Sequence, residues 1–167
     1  MSGALCGLRE AVADQLRRGG LPAVAAMEGR RAGRWRETVA AVSLSRVACA
    51  PGGFQDYLGV WTDPDSGKRR EVYGRQAEIT LTLDIYAPRE GGEGACQRGA
   101  ETAAELLMCQ GAAGLAALEL RWGPVEFREE LGMYRLPVSC RCGAWLTART
   151  DGETGVFTDF EVKGRTI

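Results

Sequence analysis

The chain has 167 residues with a formal net charge of −1, six cysteines and no histidine. This length fits one domain across residues 1–167, large enough to bury roughly two-thirds of its unfolded surface without a disulfide or a metal. The balanced charge gives no overall attraction to nucleic acid or to an anionic membrane. Without histidine, the common Ser-His and Cys-His catalytic arrangements are excluded. We therefore expect no enzyme, no catalytic residues, no cofactor and no metal.

Membrane insertion and secretion are not indicated by the sequence. No apolar run approaches the roughly 20 residues of a membrane helix, and residues 1–16 lack the basic-then-apolar order of a secretory signal. We expect a protein that stays in the cytoplasm.

Helical periodicity occurs twice. Apolar residues at helical spacing predict a helix over about residues 4–18, and a second helix begins near Cys96 and ends at Gly111. Between them, residues 38–49 predict a strand covered on both faces, and residues 77–85 predict a strand with one buried face. The apolar parity shifts near Gly74, which predicts a β-bulge there.

Residues 133–149 carry the strongest strand pattern. Apolar and polar side chains alternate over a length that would span about 55 Å when extended. A domain of this size has a radius of gyration near 15 Å, so we expect part of the apolar face to pack against another chain. Asp151-Gly152 predicts a hairpin turn into residues 156–162. The fold class is α+β: a mostly antiparallel sheet, two helices on one face, and a long projecting hairpin.

The cysteines favour a structural interpretation. Cys140 and Cys142 share the apolar face of one strand, no C-x-x-C pair exists, and Cys96 lies on the apolar stripe of a predicted helix. We expect reduced core thiols, while a redox or metal pair at Cys140 and Cys142 is the functional alternative. The carboxylates Glu78 and Asp84 predict a charged sheet face and not an acid/base pair, since about 20 Å separates them.

A basic loop at residues 28–36 surrounds Trp35 with arginines. Three interpretations remain open: a solvated loop, a contact with a partner protein, or a binding site for single-stranded nucleic acid.

Three segments resemble the tail-completion (tail terminator) proteins of prophages. They are residues 51–59 (PGGFQDYLG), residues 73–88 (YGRQAEITLTLDIYAP) and residues 157–164 (FTDFEVKG), and the order of helices and strands is similar over nearly the whole chain. The resemblance implies a structural virion protein that forms a ring, commonly of six copies, on the end of the tail tube. Such a ring stops tube polymerisation and presents a surface to the head-tail connector protein.

The resemblance implies partners and a location. The partners would be further copies of the chain, the tail tube protein and the connector, with no membrane and no sequence-specific nucleic acid. The location would be the virion tail, assembled in the cytoplasm of the bacterial host. The alternatives are another connector or tube component of a bacteriophage, or a small cysteine-dependent enzyme or ligand-binding module.

Candidate interface residues follow from composition, because arginine and aromatic side chains between glycine-rich turns are typical of interfaces. They lie in the basic loop, in the segment 54–61 and near the far end of the long strand. The set is Arg30, Arg31, Arg34, Trp35, Arg36, Phe54, Asp56, Tyr57, Trp61, Trp145 and Leu146.

Overall fold

The computed structural model of the chain describes residues 4–25, 35–51, 56–150 and 157–164. Within these residues it contains two α-helices and eight β-strands, in the order α1, β1 to β4, α2, β5 to β8. The helices are α1 (Ala4–Arg18) and α2 (Gly92–Gln110). The strands are β1 (Ala23–Ala25), β2 (Val39–Pro51), β3 (Tyr57–Thr62), β4 (Arg69–Pro88), β5 (Ala116–Trp122), β6 (Glu126–Arg128), β7 (Met133–Thr150) and β8 (Phe157–Gly164).

The eight strands form one mixed, mostly antiparallel sheet, so the α+β class is confirmed. Its centre is the antiparallel pair β4 and β7, which stays in register from Val72 opposite Arg149 to Pro88 opposite Met133. β2 and β3 both pair with the outer side of β4, while β5, β6 and β8 pair with the outer side of β7. Only β1 and β2 run parallel among these pairs.

One face of the sheet, here called the covered face, holds the core. Both helices pack on it, as predicted, and α2 donates a hydrogen bond from Cys96 Sγ to the carbonyl oxygen of Ile85 on β4 at 3.5 Å. Alternation places Ile79, Leu81 and Ile85 on this face, where they are fully buried. The other face, here called the open face, carries polar and charged side chains that are half-buried.

Contrary to the sequence prediction, the long strand β7 does not project from the domain but lies inside the sheet. It is a central strand of the sheet, and its apolar residues Val138, Cys140, Cys142 and Ala144 are fully buried within the same chain. The expectation that this face needs a second chain is therefore wrong, because side chains of the two helices of the same chain pack over it. The projecting hairpin is not confirmed, since β8 lies beside only the last part of β7 and residues 151–156 lie outside the described residues.

Two other details of the strands also differ. The β4–β7 ladder is continuous through Gly74, so no bulge interrupts it there; the irregularity lies on the neighbouring strand β3, between Tyr57 and Gly59. β2 is buried on both faces only at its first four residues, Val39 to Val42. The remainder of β2 is more open than the sequence predicts.

Candidate assembly surfaces

Strand β3 and the residue before it carry three of the predicted interface residues, distributed over both faces of the sheet. Asp56, in a left-handed conformation with φ of 61°, accepts a hydrogen bond from Arg75 Nε at 2.8 Å. Tyr57 is 45% exposed and contacts the Tyr73 ring edge-on, with 5.6 Å between the centroids. Trp61 lies on the open face, where the Arg149 guanidinium stacks 4.3 Å from its ring centroid. The β3 segment is thus an ordered aromatic surface and not a loose loop.

Gly74 explains how β3 packs against the sheet. A Cβ at this position would lie 2.6 Å from Leu58 Cδ1 and 3.0 Å from the carbonyl oxygen of Leu146, so a larger residue would force the Leu58 side chain to move. Leu58 is the extra residue at the β3 irregularity, and it is 39% exposed. Gly74 thus marks a close approach between strands, and the bulge predicted at this position of β4 is not found.

Trp145 and Leu146 lie on opposite faces of β7. Leu146 is half-buried on the covered face, where it pairs with Arg75 and Val162 and packs against the core. Trp145 is half-buried on the open face, between Gln76 of β4 and Lys163 of β8. Neither residue forms an exposed patch, so Leu146 contributes to the core more than to an interface.

The basic loop lies apart from the β3 surface. Trp35 is half-buried and lines a shallow cavity of about 410 Å³ with Arg17, Pro22 and Val24, and Arg36 is exposed. Because β2 begins beside Tyr86 and β3 pairs near residue 71, roughly 45–50 Å of strand β4 separates the two regions. The structure does not bring them together. Arg30, Arg31, Arg34 and Phe54 lie outside the described residues.

A second exposed apolar surface lies at the opposite edge of the sheet, and sequence analysis did not identify it. Trp122 at the end of β5 is 52% exposed, and Phe127 in β6 is 37% exposed. Phe127 contacts the Tyr134 ring edge-on at 5.0 Å, and the Arg89 guanidinium lies 5.4 Å from its centroid. The alternation of residues 118–122 resembles that of a half-buried strand, so the pattern alone could not show that β5 is an edge strand.

The open face carries a network of ion pairs between neighbouring strands. Arg141 on β7 lies 3.1 Å from Glu78 on β4 and 3.2 Å from Glu119 on β5. Arg135 binds Asp84 at 2.8 Å. Each predicted carboxylate is thus paired with an arginine across the sheet, as in a charged sheet face, and the two are not arranged for joint acid/base chemistry.

The central thiols lie within the core. Cys140 Sγ and Cys142 Sγ are 3.5 Å apart on the covered face, and no disulfide joins them. The hydrogen bond with Cys140, together with burial, raises the pKa of the Cys142 thiol. Burial likewise raises the pKa of Cys96 to about 11. A buried thiol held in its neutral form is a poor nucleophile.

In the part of the chain that the structure describes, no group of three or more cysteine, aspartate or glutamate side chains is placed to hold a metal ion. Neither described helix is long and apolar enough to cross a membrane.

No protein-family model matches this chain, and no curated protein matches it.

Proposed function

We propose that this chain is a structural virion protein of the tail-completion (tail terminator) type. In this proposal, copies of the chain form a homo-oligomeric ring, a hexamer, on the end of a bacteriophage or prophage tail tube. The ring ends tube polymerisation and offers its outer surface to the head-tail connector protein. It is assembled in the cytoplasm of the bacterial host and becomes part of the tail.

The observation that carries the proposal is where the exposed apolar side chains lie. Tyr57, Leu58 and Val60 are exposed on strand β3, and Leu118 and Trp122 are exposed on strand β5. These are edge strands among the described strands, and exposed apolar residues at a sheet edge are typical of surfaces that pair with another chain. The arrangement supports an assembly role more than a ligand-binding one.

The architecture is also suited to a subunit of a ring on the end of a tube. Two long paired strands form the centre of the sheet, the helices pack on one face, and the polar open face is left for a partner or for water. Strands that are already paired in the protomer would lose little conformational entropy on association, which favours assembly.

A cysteine-dependent enzyme is supported less well. Cys140 and Cys142 are fully buried, so a substrate could not reach either thiol in the folded chain. The exposed thiols, Cys49 and Cys109, lie on the distal part of β2 and at the end of α2.

Electron microscopy of negatively stained particles tests the function. The chain is purified alone and is also mixed with polymerising tube protein encoded in the same genome. We expect closed rings, and tubes that carry a ring at one end and stop growing. Open-ended tubes built from this chain would instead identify a tube component. A protein that neither forms rings nor shortens tubes would overturn the proposal.

A further inference from the structure

We draw no further inference here: the strongest candidate, the exposed aromatic surface that Trp122 of β5 and Phe127 of β6 form at one edge of the sheet, is an apolar patch, and nothing in the structure shows what covers it.

Discussion

Individual thiols show how burial decides chemistry in this chain. Cys140 and Cys142 could be read as a reactive pair, yet both lie inside the core on β7, between β4 and β5 and beneath the helices. Cys49 and Cys109 are the exposed cysteines among those described. Exposure, and not sequence spacing, therefore separates reactive from inert thiols here.

Thiol labelling should divide these cysteines into two groups. In the folded protein, a thiol reagent at neutral pH should modify Cys49 and Cys109, while Cys96, Cys140 and Cys142 react only on unfolding. Mass spectrometry of peptides after brief labelling measures this. Rapid modification of Cys140 in a protein that keeps its native circular dichroism would contradict the core assignment.

Alkaline pH should weaken the fold through Cys96. Its pKa in the folded chain is about 11, against an ordinary value of 9.0, so the folded state holds the proton more tightly than the unfolded state. The stabilisation is complete below pH 9 and is lost between pH 9 and 11, by up to about 2–3 kcal/mol. Urea unfolding across this range should show a shallower decline for Cys96→Ala than for the wild type. Parallel declines would rule out Cys96 as the cause.

At the scale of elements, helix α2 lies very close to the sheet because of Gly99. A Cβ at this position would be 2.8 Å from Ile85 Cγ2 and 2.8 Å from Thr38 Cγ2. Gly94 in the same helix has more room, since a Cβ there would have Arg98 Nη1 as its nearest neighbour at 3.4 Å. One helix thus offers a crowded and an open glycine for comparison.

The two glycines should respond oppositely to alanine. Gly99→Ala should lower the free energy of unfolding by about 1–3 kcal/mol, because the methyl group overpacks the contact with β4. Gly94→Ala should raise it by up to about 0.5–1 kcal/mol, since alanine restricts the unfolded chain and suits a helix. Thermal or urea unfolding gives both values. A stabilised Gly99→Ala protein would mean that α2 does not press on the sheet there.

The ion pairs of the open face should differ in strength with their burial. Arg135 and Asp84 are 27% and 19% exposed, whereas Arg141 and Glu78 are 42% and 43% exposed. We expect Arg135→Ala to cost about 1–3 kcal/mol, because it leaves a mostly buried carboxylate without its partner. Arg141→Ala should cost less than about 1 kcal/mol.

A double substitution provides the control for this comparison. Removing Asp84 as well as Arg135 should recover part of the loss, since no unpaired carboxylate then remains. Equal costs for the two single arginine substitutions, measured by urea unfolding, would show that burial does not govern these pairs.

The sequence by itself determined the local elements and their buried faces. The helical spacing of Leu5, Leu8, Val12 and Leu16 and the alternation over residues 77–85 predicted α1 and β4 with their correct faces. Periodicity of this kind depends only on neighbouring residues in the chain, so it can be read without knowledge of the fold.

Only the tertiary structure decided which strands are neighbours, and therefore which apolar residues stay exposed. The pattern of residues 133–149 predicts a projecting ribbon, but β4 is long enough to pair with β7 along Met133–Arg149, and the helices cover the apolar face of β7. Trp122 falls on the apolar side of the alternating residues 118–122, which predicts burial. It is nevertheless exposed, because β5 lies at the edge of the sheet. Burial of a strand depends on partners distant in sequence, and the local pattern carries no information about them.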